Sequence, residues 1–140
     1  MLARAADILA AWNRGDPDAI GASVVEDVMW RDVALGTPLQ GREALVTAAQ
    51  KYMNAFPDLR IWETSSTLAG SRLAQELTVV GTHRGTLLGV EPTGRWTETY
   101  AAVITTFDDD AMVIEGALYW SPLAMFQQLG VLAGLAPAAA

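Results

Sequence analysis

Apolar side chains recur every three to four residues at the start of the chain, at Leu2, Ala5, Ala6, Leu9 and Trp12. That spacing predicts a helix over residues 2–14 with one buried face. Asp16-Pro17 reads as an N-cap followed by proline at the first helical position, where its missing N–H is not needed, and it opens a second, short helix over 17–24. A strand over 28–33, VMWRDV, and the turn GTPLQG come next. A third helix covers 42–55 and ends before Pro57.

From residue 59 the period changes to two, which predicts strands over 59–67, 72–82, 96–107 and 112–120. Ser121-Pro122 repeats the cap-and-proline pattern for a helix over 122–129, and Gly130 reads as its C-cap. Helices followed by a run of long antiparallel strands predict an α+β domain with its helices on one face of a curved sheet. The 140 residues form a single domain, 1–140, with a core over 2–130 and a frayed tail over 131–140.

Composition narrows the function. The net charge of −7 argues against nucleic acid or an anionic membrane surface as partner. Zero cysteines and one histidine leave no thiolate or multi-histidine metal site. No run approaches the length of a membrane span, and Asp7 interrupts any signal-peptide core, so the reading is cytoplasmic. The five tryptophans, at 12, 30, 62, 96 and 120, either fill the core or line a deep apolar pocket.

Carboxylates, one imidazole and a few tyrosines remain, a set suited to general acid–base chemistry without a cofactor. His83 sits in GTHRG, between glycines that let the backbone approach other groups closely. It is either an acid–base or hydrogen-bonding group at the wall or mouth of a pocket, or a buried histidine pinning the loop that follows. Glu76 and Glu98 lie in the two longest strands. They either point inward, with Arg72 and Arg84 as possible partners, or belong to a solvated face. Gly94 in PTGR is expected in the left-handed region.

The order AWNRGDPDA, EDVMWRD, GREAL, AFPDLR, GTHRGTLLGVEPTGR, YWSPLAMFQQLG resembles the SnoaL-like polyketide cyclases, of the nuclear transport factor 2-like superfamily, over residues 11–130. The resemblance implies a cone-shaped, helix-capped sheet with a closed apolar pocket and a homodimer. It also implies cofactor-independent chemistry on a bulky polyketide-like biosynthetic intermediate. The type reaction is an intramolecular aldol closure.

In that family an aspartate follows the Tyr-Trp pair and acts as acid–base; here the position is Ser121, a neutral hydroxyl that also reads as a helix cap. Strand alternation puts Ser121 on one face with Tyr119 and Glu115, and the family orientation turns that face to the cavity. The segment ending at Asp32 also resembles ketosteroid isomerases, in which a carboxylate at this position abstracts the proton. Ile8 and Val103 stand where their oxyanion-binding groups would be.

Asp32 is therefore the expected base, unless it is a solvated strand-end aspartate, and His83 the expected partner. Trp12, Trp30, Trp62, Glu76, Glu98, Tyr119 and Ser121 are the expected substrate-binding set. No cofactor is expected. Alternatives are dehydration, epoxide opening with or without cyclisation, cofactor-free hydroxylation, or a non-catalytic small-molecule-binding or dimerisation domain.

Overall fold

A computed structural model describes residues 1–132; the expected frayed tail lies, from residue 133 onward, outside the described residues. The elements are α1 (Leu2–Arg14), α2 (Pro17–Gly21), β1 (Val24–Asp32), β2 (Thr37–Gln40), α3 (Arg42–Ala55), β3 (Arg60–Ala69), β4 (Arg72–Thr82), β5 (Trp96–Phe107), β6 (Val113–Trp120) and α4 (Pro122–Leu129). Both cap-and-proline readings hold. The Asp16 carboxylate accepts from Ala19 N–H at 3.0 Å, and the Ser121 hydroxyl accepts from Ala124 N–H at 3.1 Å.

The six strands form one curved sheet in the order β2-β1-β6-β5-β4-β3. Its pairing differs from the antiparallel expectation at one place: β1 runs parallel to β6. β1 also starts earlier than expected, because a register shift between Val24 and Met29 carries the polar pair Glu26-Asp27 through the strand. The segment read as a turn holds β2, a four-residue edge strand containing Pro38. An edge position tolerates a residue that cannot donate to a ladder.

Helices α1 to α3 cover the concave face. One apolar cluster joins Ala5, Leu45, Met53, Leu73, Phe107 and Val113. A second joins Phe56, Leu59, Leu87, Met125 and Leu129, and Trp12 packs against both. Two side-chain amides fasten helices to strand backbone. Asn13 of α1 donates to Ile61 C=O at 2.9 Å and accepts from Ile61 N–H at 2.8 Å. Gln128 of α4 makes the same pair of bonds with Glu98, at 2.9 and 2.8 Å. Each amide occupies backbone groups that a further strand would otherwise pair.

The Asp58 carboxylate ties the end of β4 to the β3 entry, accepting from the Thr82 N–H and hydroxyl at 2.7 Å each. The Thr82 N–H first, then its hydroxyl, holds the Asp58 carboxyl below its ordinary range.

Gly116 of β6 lies opposite Trp30, and a Cβ there would drive into the Trp30 ring. Gly116→Ala is expected to lose about 1–3 kcal/mol of stability in urea unfolding, as overpacked sites do. Ser121→Ala should lose about 1 kcal/mol and Ser121→Asp should keep wild-type stability; equal loss in both would contradict the capping role.

Candidate active site

Side-chain alternation decides what faces the concavity. On β5 the odd residues from Thr97 to Phe107 line a cavity of about 220 Å³ between sheet and helices; Gln75, Leu77, Val79 and Gly81 do so from β4. Trp30 and Asp32 face it from β1, Leu118 and Trp120 from β6, and Trp12, Tyr52 and Phe56 from the helical side. The wall is mainly apolar. Its polar members are Asp32, Tyr52, Gln75 and Thr97, Thr99 and Thr105, of which Thr97 and Thr99 donate to β4 carbonyls at 3.3 and 3.5 Å.

Asp32, the last residue of β1, is 9% exposed. The Trp120 indole N–H lies 3.1 and 3.0 Å from its two carboxylate oxygens, and Leu35 N–H donates to Oδ1 at 3.1 Å. All these partners are donors, which is what an ionised carboxylate requires. Among the described residues no lysine or arginine forms an ion pair with it.

The Tyr52 hydroxyl is buried and has no hydrogen-bond partner among the described residues. Its pKa is pushed up to about 12, first by burial and then by the Asp32 charge. Its ring meets that of Trp120 edge-on, centroids 6.5 Å apart. Asp32, Trp120 and Tyr52 thus form one polar patch: an anion, its fixed donor, and a protonated phenol free to donate.

Of the expected site residues, the structure brings Asp32, Trp12 and Trp30 to the cavity wall. The others stand elsewhere. Tyr119 is on the convex face, because Leu118 and Trp120 take the inward phase of β6; the expected orientation of the Glu115–Tyr119–Ser121 face is corrected. Ser121 is exposed and caps α4. Trp62 lies across from Thr78 and Tyr100 on the outside and is 45% exposed. Glu76 is exposed in the convex row Glu76–Ala102–Tyr119. Glu98 is half-buried, outside the cavity lining, and Arg72 and Arg84 form no ion pair with either glutamate.

His83 is fully buried but does not line the cavity; its ring packs on Phe56, centroids 5.6 Å apart, and Phe56 is the residue that does. Thr93 N–H donates to Nδ1 at 3.2 Å and the Thr93 hydroxyl lies 3.1 Å from the same nitrogen, while Nε2 has no partner among the described residues. The flanking glycines serve the close approaches expected of them. A Cβ on Gly81 would press on Phe56, and one on Gly85 would strike the Asn54 carbonyl. Gly94 takes the left-handed region, with φ 70°.

Tyr52 and Gln75 were missed as site residues in the sequence; Trp120 was read with the other tryptophans as core or pocket wall, and its bond to Asp32 was not. Gln75 interrupts the apolar alternation Leu73, Leu77, Val79 in phase, which was a readable signal. Tyr52 shares the α3 stripe with Leu45 and Ala49, and nothing in that spacing separates it from core. Among the described residues no group of three or more His, Asp or Glu side chains could hold a metal ion, and no helix is long and apolar enough to cross a membrane.

Solved structures of the same architecture are numerous. AclR of Streptomyces galilaeus, a candidate hydroxylase, superposes with TM-score 0.83 at 26% identity, over 95% of this chain and 82% of its own. IdmH of Streptomyces antibioticus, a candidate polyketide cyclase, gives 0.78 at 25%, over 91% and 96%. SalBIII, an epoxide hydrolase/cyclase-like enzyme in pyran ring formation in the polyether salinomycin, shares the fold, with TM-score 0.73 at 18% identity over 85% and 88%. A comparison with curated proteins returned no match. The family described as SnoaL-like polyketide cyclase matches residues 3–129, and the chain belongs to that family.

Proposed function

We propose that this protein is a cofactor-independent acid–base enzyme of the cyclase type, acting on an apolar, oxygen-bearing polyketide-like intermediate. The observation that carries the reading is a buried carboxylate, supplied only with donors, beside an unpartnered and protonated phenol in an apolar cavity.

Asp32 accepts a proton from a carbon next to a substrate carbonyl. The C–H electron pair moves into the enolate, whose oxygen takes a hydrogen bond from Tyr52. The enolate carbon then attacks a second carbonyl of the same molecule and closes the ring, and the proton held on Asp32 goes to the new alkoxide. Trp120 N–H keeps the carboxylate aimed, and the apolar wall excludes water that would compete for the enolate. Tyr52 takes the donor role expected of His83, whose ring is behind Phe56.

On a diketone substrate that the wild type turns over, Asp32→Asn should lower kcat by about 10²–10⁴-fold with little change in binding, the usual scale for a lost general base. Tyr52→Phe should lower kcat by about 10²-fold, as for a lost oxyanion donor. Undiminished turnover in Asp32→Asn would refute the base assignment.

Absorbance titration should show a tyrosine with a midpoint near pH 12 that disappears in Tyr52→Phe. Because the folded pKa lies above the ordinary 10.0, the unfolded chain loses this proton first. Stability should therefore fall as pH rises through that interval, and fall less in Tyr52→Phe.

A further inference from the structure

Gln75 is 7% exposed, lies in the middle of β4 and faces the cavity. A buried primary amide offers two N–H donors and one carbonyl acceptor. Here Nε2 donates to Glu63 Oε2 at 2.7 Å, and Glu63 is the amide's one hydrogen-bond partner among the described residues. A carboxylate can only accept, so this contact fixes which end of the amide is NH₂. One N–H and the carbonyl oxygen are left for the cavity.

The arrangement that holds the amide is built into β3. Glu63 pairs with Leu77 and Ser66 with Gln75, with a register shift between Glu63 and Ser65. Residues three apart on a regular strand face opposite ways; the extra residue turns both Glu63 and Ser66 to the concave side. There the Ser66 hydroxyl donates to Glu63 Oε1 at 2.8 Å, and the carboxylate is held over Gln75. Bulges that re-aim a side chain in this way are concentrated near functional sites.

Register also places Gln75 relative to the base. Gln75 pairs with Val103, Val103 with Leu118, and Leu118 with Asp32, so the four lie in one row across the concave face. Three strand spacings, about 14 Å along the sheet, therefore separate the backbones of Gln75 and Asp32. The floor between them is the apolar pair Val103 and Leu118.

We propose that Gln75 is the second polar anchor of this cavity, recognising a hydroxyl or carbonyl oxygen at the far end of the ligand from the atom on which Asp32 acts. Glu63 and Ser66 are positioning residues for it. The inference rests on the cavity being the substrate site. It selects ligands with oxygen at both ends and an apolar middle over ligands with oxygen at one end.

The test uses a dihydroxyanthracene with one hydroxyl on each terminal ring and its monohydroxy analogue, both un-ionised, titrated against the intact protein. Quenching of Trp12, Trp30 and Trp120, all in the cavity wall, reports binding. Wild type should bind the dihydroxy compound about 10-fold tighter, the scale of one buried hydrogen bond. Gln75→Leu should erase that preference while still binding the monohydroxy compound, and Glu63→Ala should reduce it by freeing the amide to rotate.

Gln75→Met is the substitute if the leucine variant fails to fold by circular dichroism. A preference that survives in the Gln75 variant, or a wild type that shows none or binds neither probe, overturns the proposal. Should Asp32→Asn leave turnover intact while the Gln75 preference persists, the catalytic reading falls and this one stands.

Discussion

The Asp32 carboxylate lies in a wall of aliphatic and aromatic side chains with no cation paired to it among the described residues. An uncompensated buried charge costs several kcal/mol even after relaxation, and hydrogen bonds to a charged group return about 1.5–3 kcal/mol each. The Trp120 indole and the Leu35 N–H are together of the size needed. The rest of the concave face follows from keeping these donors in place. β1 must run parallel to β6 with Asp32 opposite Leu118, so that Trp120, two residues on, reaches back to the carboxylate. Trp30 lies over Gly116 in the same pair of strands, where a larger residue would push the ring away.

The two faces of the sheet divide the chain's polar and aromatic residues by phase. Asp32, Gln75 and Trp120 fall on the concave side; Glu76 and Tyr119, one residue from Gln75 and Trp120, fall on the convex side with Tyr100. A one-residue error of phase exchanges the two sets. α1 and α4 are held to the sheet by matching amide contacts, Asn13 to Ile61 and Gln128 to Glu98, so the cover over the cavity is fixed by backbone bonding as well as apolar packing.

Much of this was legible in the sequence. The long strands, the two proline-led helices and their caps declare themselves locally, because caps and alternation are short-range physics. β2 was hidden by Pro38 and its edge position, and the early start of β1 by Glu26 and Asp27. The site was legible in part. Asp32 stands out as an aspartate in an apolar strand, but the bond that orients it spans 88 positions, and no local pattern shows it. Ser121 draws attention as a replaced acid, yet its work is to cap α4. His83 is conspicuous for being single, and its burial behind Phe56 is a tertiary fact. Tyr52 looks like core until the unpartnered hydroxyl is located in three dimensions.

The central claim is that Asp32 and Tyr52 act together on one ligand oxygen and its neighbouring carbon. The most direct measurement is a crystal structure with a bound naphthol, a stable analogue of an enol. The account predicts the naphthol oxygen hydrogen-bonded to the Tyr52 hydroxyl and its ortho carbon against the Asp32 carboxylate, with the rings against Val103 and Leu118. A naphthol seated on the convex face beside Tyr100 and Tyr119, or in the cavity with its oxygen turned away from both groups, would contradict it.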